Sequence, residues 1–365
     1  MQLTICGFGG AGCRIADRLV AADEQGSRSF VVDSVALDTD QRDLSALDAI
    51  PDDRRHLYGV IEAEGEGVDG DRSVGAAAAS SSTTELVDAI EAAVPSQTEA
   101  ILCCVGLAGG SGATALPSVA EELGRVHGSP VYTLGVLPEL PDDDEGAAAV
   151  AGNAVRAVEQ LAGATDAVVT FDNTLWANSG ESATEPDVWE RLNETLAEQL
   201  SMLFAAGEGD HDRQIAERVV DTSEVIATFE AGGLATLGYA SQTIDRPTES
   251  RFGLGLLEEA SEVEETTLIS AIETTSRRAV KRKMTVEVEL EGVGRGLLVV
   301  GGPPEWLNRD AVADARSWLA DETGSVEIRG GDLPDPGGNE ISVLALLTGI
   351  SDCPRMAELR AAASE

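Results

Sequence analysis

Short apolar runs alternate with segments of helical periodicity through the first half of the chain. Residues 1–6, 34–37, 100–104, 131–137 and 167–171 are apolar at most positions. That is the pattern of strands covered on both faces, hence of a parallel sheet between two helix layers. Segments 15–20, 76–94, 118–123 and 147–161 read as the helices between them. Such alternation predicts an α/β fold with a doubly wound parallel sheet. Val188, Leu192, Leu196, Leu200 and Leu203 then recur at helical spacing, predicting one long helix over 186–206 with a continuous apolar face. Beyond it the pattern is mixed: helices over 266–280 and 309–319, strands over 285–290, 296–300, 325–329 and 341–347, and a turn-rich stretch over 330–338. The chain therefore divides into a doubly wound domain (1–185), a central linking helix (186–208) and a smaller α+β domain (209–365). Asn178-Ser179-Gly180-Glu181 breaks the chain before the long helix, and Gly207-Glu208-Gly209-Asp210 reads as a hinge after it.

Glycines gather where strands hand over to helices. Gly7-Phe8-Gly9-Gly10-Ala11-Gly12-Cys13-Arg14 follows the first strand, and Gly106-Leu107-Ala108-Gly109-Gly110-Ser111-Gly112 follows the strand at 100–104. Glycine lets backbone N–H groups approach an anion closely, and the helix beyond adds a partial positive charge. The first loop alone, with Asp38 at the end of the second strand, also suits a dinucleotide-binding oxidoreductase, in which Asp38 would hold a ribose hydroxyl. A second cradle on the same sheet suits a nucleoside triphosphate better. The loop 65–75 is placed to fold over a terminal phosphate. Trp189 and Asn193 lie four apart and share a helix side; an indole and a carboxamide could stack on a purine and read its edge, or be a half-buried Trp beside a solvated Asn. Asp221 and Glu224, three apart, suit a helix cap or a pair of projecting carboxylates.

Charge narrows the setting. The formal charge is −40, from 65 acidic against 25 basic residues, and Lys281 and Lys283 are the chain's only lysines. At low ionic strength such a surface repels itself; in about 1 M salt the Debye length falls to about 3 Å and the repulsion is screened. The composition thus predicts a molar-salt cytoplasm, as in a halophilic archaeon. Nucleic acid is not an expected partner, because the basic stripes it needs are missing. No run approaches the length of a membrane span, and the first residues lack the charged start of a signal peptide. The five cysteines show no metal-ligand spacing, and the strand cysteines Cys6, Cys103 and Cys104 read as packed thiols. The three histidines are scattered and none is a candidate base.

Taken together, these residues resemble the tubulin/FtsZ superfamily, and within it the haloarchaeal CetZ group, over nearly the whole chain. Ala108-Gly109-Gly110-Ser111-Gly112-Ala113-Thr114 is similar to the superfamily signature G-G-G-T-G-[ST]-G, departing at Ala108, Ala113 and Thr114. Gly10-Ala11-Gly12-Cys13-Arg14, with Gly9 before it as a further nucleotide-binding residue, resembles the first phosphate loop, the segment 67–75 with Asp71 the γ-phosphate-sensing loop, and Glu145-Gly146 the ribose-binding pair. Phe171-Asp172-Asn173 resembles the loop whose Asn reads guanine, while Trp189 and Asn193 match the aromatic and Asn that stack on and bond to the base. The segment 220–226 resembles the synergy loop that enters the next subunit's site, with Val219 where FtsZ has an amide and Glu224 where it has Asp. Segments 300–305, 327–332 and 352–355 are similar to CetZ C-terminal sequences.

The resemblance implies GTP or GDP on the loops of the first domain, with Mg²⁺ held mainly through the phosphates, so that no metal-ligating residue is named. It implies head-to-tail assembly with itself, possible association with related tubulin-like proteins, and hydrolysis completed by Glu224 and Asp221 of the neighbour. It further implies a cytoskeletal role in cell shape, motility or division. If Ala108, Ala113 or Thr114 occupied positions needing positive φ, strain of about 1 kcal/mol or more would follow; the alternative is then a weakly hydrolysing or non-hydrolysing nucleotide-binding regulator of related filaments. The chain ends soon after its last helix, without a long adaptor tail.

Overall fold

Strand β1 (Leu3–Phe8) is buried at every residue and has a parallel neighbour on each side. On one side lie β2 (Val31–Asp38) and the short β3 (Arg55–Leu57); on the other lie β4 (Ala100–Gly106), β5 (Val131–Leu137) and β6 (Ala167–Asp172). Phe8 pairs with both Leu37 and Val105, and Val136 with both Gly106 and Phe171, so these strands finish along one edge. The structure is a computed structural model that describes residues 1–26, 29–177, 181–182, 185–205, 220–245, 263–335 and 337–364. The expected hinge at 207–210, most of the break at 178–181, and Val219 lie outside these residues.

Helices α1 (Gly9–Gln25), α2 (Gln41–Ser45), α3 (Val60–Ala63), α4 (Arg72–Glu91), α5 (Gly112–Val126), α6 (Asp144–Ala164) and α7 (Asn173–Trp176) connect these strands. Helix α8 (Pro186–Ala205) follows, and it buries Val188, Leu192, Leu196, Leu200 and Leu203 as its spacing predicts. It packs along α1 and touches β10, so it separates the two halves of the molecule. After α9 (Thr222–Phe229), β7 (Leu234–Thr243) runs parallel to β6 over two residue pairs and then leaves it. The sheet continues through β10 (Glu340–Ile350), antiparallel to β7, then β8 (Arg295–Gly302) and the edge strand β9 (Ile328–Pro334). Among the described residues its strand order is β3-β2-β1-β4-β5-β6-β7-β10-β8-β9. Helices α10 (Glu265–Arg282) and α11 (Arg309–Thr323) cover the second half, and α12 (Pro354–Ala362) returns to pack on α6.

Three expectations move. The strand expected at 285–290 is absent: Met284 makes an isolated bridge to Gly238 and Thr285 N–H donates to Leu237 O at 2.7 Å, where β7 has parted from β6. The strand expected at 325–329 starts later, at Ile328, and runs through Gly330 and Gly331, which an edge strand with one pairing side tolerates. The helices α1, α4, α5 and α6 start earlier than expected. Gly9 and Gly112 are already helical, and Pro117 lies inside α5 rather than before it.

Candidate functional site

At the carboxyl edge of the parallel strands lies a cleft of about 420 Å³, within the usual size of a small-molecule site. Phe8, Asp38, Gly106 and Val136, at or near the ends of β1, β2, β4 and β5, form its floor. Two helices begin at this floor. α1 starts directly after Phe8 and α5 after Ser111, and neither has a side-chain cap. Their first-turn amides have no partner within the helix, and both dipoles bring positive potential to the same space. The starts touch back to back: a Cβ on Gly9, whose φ is +69°, would lie 3.0 Å from Gly112 N, and one on Gly112 would lie 2.2 Å from the Phe8 carbonyl oxygen.

Side chains tie the rim together. Thr39 Oγ1 and Ser111 Oγ share a hydrogen bond of 2.7 Å. Asn153, on α6, donates from Nδ2 to the carbonyls of Gly70 and Ala108, both at 3.2 Å, so it holds the 65–75 loop against the second cradle. Asp38 is 2 % exposed; its Oδ1 accepts from Thr39 N–H at 2.7 Å, and its Oδ2 has no partner. Burial, followed by the nearby Asp43 and Asp40 charges, pushes its carboxyl up to about 7, against the Thr39 and Asp40 backbone N–H bonds.

The cleft gathers most of the expected nucleotide residues: Gly9, Gly10, Ala11, Arg14, Asp38, Ala108, Gly109, Gly110, Ser111, Gly112 and Asn173. The others do not line it. Gly12 packs beneath, where a Cβ would lie 2.1 Å from the Cys104 carbonyl oxygen, and Cys13 is buried with its thiol donating to Leu37 O at 3.6 Å. Asp71 caps α4, accepting from Ser73 N–H at 2.8 Å and Val74 N–H at 3.3 Å. Glu145 is exposed in the first turn of α6, a helix capped by Asp143. Trp189 and Asn193 lie half-buried on α8. The Arg14 guanidinium stands 5.0 Å above the Trp189 ring while its Nη2 donates to Asp43 Oδ1 at 2.6 Å, so Arg14 lies between indole and cleft.

Sequence reading missed the acid of the rim, namely Asp40, Asp43, Glu66, Asp69 and Glu139. The signal was there in Asp40-Gln41-Arg42-Asp43, which directly follows a strand end. It also missed Asn153, whose role depends on two loops remote in sequence.

Asp221 and Glu224 sit at the other end of the sheet. Asp221 N-caps α9, its Oδ1 accepting from Ser223 O–H at 2.6 Å and Glu224 N–H at 3.0 Å, and the Ser223 bond first of all keeps its carboxyl below the usual range. Thr222 Oγ1, beside it, donates to Glu99 Oε2 at 3.1 Å, and Glu99 precedes the first residue of β4. The cleft lies past the last residue of that strand, about 20 Å away at 3.3 Å per residue. These carboxylates therefore cannot serve the cleft of their own chain.

The family described as "Tubulin/FtsZ family, GTPase domain" matches residues 2–181, and "Tubulin-like CetZ, C-terminal domain" matches residues 180–365. The tubulin-like protein CetZ5 of Haloferax volcanii is 39 % identical over the whole chain, covering 92 % of that relative. The chain belongs to the tubulin/FtsZ superfamily, in its CetZ group. Solved CetZ structures align over its whole length: H. volcanii CetZ2, a GTPγS-bound protofilament, at 34 % identity and TM-score 0.85, and CetZ1, a GDP-bound monomer, at 33 % and 0.84, each covered to 99 %. An FtsZ of M. jannaschii shares the fold, at 22 % identity and TM-score 0.70 over 96 % of this chain and 91 % of that one. Among the described residues no cluster of three or more His, Cys, Asp or Glu could hold a metal ion, and no helix is long and apolar enough to cross a membrane.

Proposed function

We propose that this CetZ chain binds a guanine nucleotide in the cleft, assembles head to tail into protofilaments, and hydrolyses GTP where the α9 end of one subunit meets the cleft of the next. The observation that carries this reading is the separation of the two halves of the chemistry. The phosphate cradle lies at one end of the sheet and the Asp221–Glu224 carboxylates lie at the other, so two copies in line complete one site. A contact between unlike ends does not close on itself and makes a filament. The GTPγS-bound protofilament of CetZ2 and the GDP-bound CetZ1 support it by similarity.

In this reading the amides at the starts of α1 and α5 bind the phosphates, Asn153 holds the loops closed, and Asn173 and Arg14 border the base side. Glu224 positions the attacking water. Asp221 is a positioning residue, because its carboxylate caps the first turn of α9, the turn that carries Glu224. Mg²⁺ would be held through the phosphates and water, beside the acidic rim of the cleft. Bound there, the ion neutralises phosphate charge. The biological role proposed is cytoskeletal, in shape, motility or division.

Ala108, Ala113 and Thr114 all have negative φ and carry no left-handed strain, which weighs against a non-hydrolysing regulator. The test is GTP turnover per subunit against protein concentration in molar KCl with Mg²⁺. Turnover should appear above a threshold concentration, and Glu224→Ala should abolish it while monomers still bind GTP. GTP bound without turnover at any concentration would instead identify the regulator.

A further inference from the structure

The motif Asp352-Cys353-Pro354-Arg355 stands where α12 begins, and none of its residues lines the cleft. Pro354 opens the helix, and Met356 and Leu359 dock it, buried in one core with Ala154, Val158 and Leu161 of α6. Arg355 adds nothing to that apolar contact, yet its side chain is only 12 % exposed. It lies in the first turn of α12, where the helix dipole disfavours a cation. It is withdrawn from water beside the buried Asp172, and a buried ion pair is a weak source of stability. Its contacts give the placement a use. Nη2 donates to the Pro138 carbonyl oxygen at 2.8 Å and to Thr174 Oγ1 at 3.3 Å, Nη1 donates to Glu358 Oε2 at 3.0 Å, and Nε stands 3.4 Å from Asp172 Oδ2.

Each of those contacts but Glu358 belongs to a wall of the cleft. Pro138 follows β5 and lines the cleft together with Glu139. Asp172 ends β6, and its Oδ1 accepts from Thr174 N–H at 3.0 Å, so it fixes the turn that carries the lining residue Asn173. Burial pushes the Asp172 carboxyl above the usual range, and the Arg355 charge is the first of the effects that hold it down. One guanidinium thus ties the loop after β5 to the loop after β6. The cradle side of the cleft is held by other residues, the Thr39–Ser111 bond and Asn153. Reading a base through hydrogen bonds needs side chains kept at fixed distances; binding a diphosphate on two helix starts elsewhere in the cleft does not need this tie. We infer that Arg355 is a positioning residue for base recognition, which fixes the Pro138–Glu139 wall against the Asn173 wall and so sets the preference for guanine over adenine without touching the nucleotide. This rests on the guanine nucleotide reading of the cleft and deepens it.

The deciding measurement is calorimetric binding of GDP and of ADP in molar KCl with Mg²⁺, with the thermal transition of each protein recorded beside it. Wild type should prefer GDP. Arg355→Met keeps the length of the apolar stem and removes every donor; it should lower GDP affinity by about tenfold and leave ADP affinity within about twofold, so the preference collapses. It also leaves Asp172 buried without its cation, so the thermal midpoint should fall. The double variant Arg355→Met with Asp172→Asn keeps an acceptor for Thr174 N–H and removes the buried charge. It should recover the midpoint and not the preference; should the single variant not fold, the double variant decides alone. A merely structural role would weaken GDP and ADP alike, and an unchanged GDP to ADP ratio in the variants would overturn the inference while the nucleotide reading stands. A double variant that regains the preference along with its stability would also overturn it, because the charge on Asp172 and not the tie between the loops would then be what matters. Wild type binding GDP and ADP equally would overturn it as well. No GDP binding by wild type would overturn the nucleotide reading, and this inference with it.

Discussion

At the scale of single residues the cleft is built by backbone contact more than by side-chain chemistry. Gly110 is the sharpest case. A Cβ there would lie 2.6 Å from Val68 Cγ2, 2.8 Å from Gly70 C and 2.9 Å from Asp71 O, all parts of the 65–75 loop. Gly110→Ala should push that loop off the second cradle and lower guanine nucleotide affinity by about tenfold, roughly 1.4 kcal/mol, with little change in thermal stability. Gly109→Ala meets only Gly106 O, at 3.3 Å, and should be several-fold milder in the same binding assay; equal effects would show that the loop contact is not what matters. Thr114 makes the complementary point. It departs from the superfamily signature, but its hydroxyl donates to Gly110 O at 2.5 Å and Ser111 O at 2.8 Å. Thr114→Gly, which restores the signature glycine, should therefore destabilise the fold by about 1 kcal/mol or more, read as a lower midpoint in chemical denaturation. Relief of strain would raise that midpoint.

At the scale of elements, legibility in the sequence followed burial. β5 and the apolar face of α8 were readable to the residue, because a strand covered on both faces and a helix packed between two halves leave their period in the sequence. Helix starts were not, because Gly9, Gly112 and Pro117 are residues that locally argue against helix, and Gly9 and Gly112 lie where the two starts pack closely against each other. The same holds for β9, whose glycines look like a turn until β8 lies beside them. In the site, loops with unusual composition were legible, whereas Asn153 and the Arg14–Trp189 stacking were not, since each joins elements remote along the chain. The α8 seam has a measurable cost of disruption. Leu200 is fully buried in the core it shares with α1 and β10 residues, and Leu200→Ala should cost about 2–5 kcal/mol. Urea denaturation should show this as a shifted midpoint with unchanged slope. A loss below 1 kcal/mol would mean that the two halves are not held through this helix.

At the scale of the whole molecule, apolar exposure is not scattered. Among the described residues the exposed large apolar side chains are Val60, Ile61, Leu175, Val126 and Val326. Val60 and Ile61 are in α3, beyond the carboxyl end of β3, and Leu175 is in α7, beyond that of β6; all three stand at the cleft end. Val126 closes α5 on its return from that end, and Val326 precedes β9 next to Glu327, which pairs with Arg295 at 2.7 Å; Arg295 in turn pairs with Glu230, just past α9, at 3.0 Å. Exposed apolar groups thus stand at the two ends that the proposed filament would join, and the flanks have none among the described residues. Ile61, 91 % exposed, and Val326, 98 % exposed, are the natural anchors, each contributing about 1.5–3 kcal/mol if covered. Ile61→Asp and Val326→Asp should each raise the critical concentration for assembly in molar KCl by about tenfold or more, measured by pelleting and light scattering. GTP binding by the monomer should be unchanged, since neither residue lines the cleft. Thr84→Asp adds the same charge on the exposed side of α4 and should leave the critical concentration where it was. If the flank variant disturbs assembly as much as the end variants do, net charge governs association and the apolar ends do not. If none of the three matters while wild type still assembles, the filament contact lies elsewhere on the molecule.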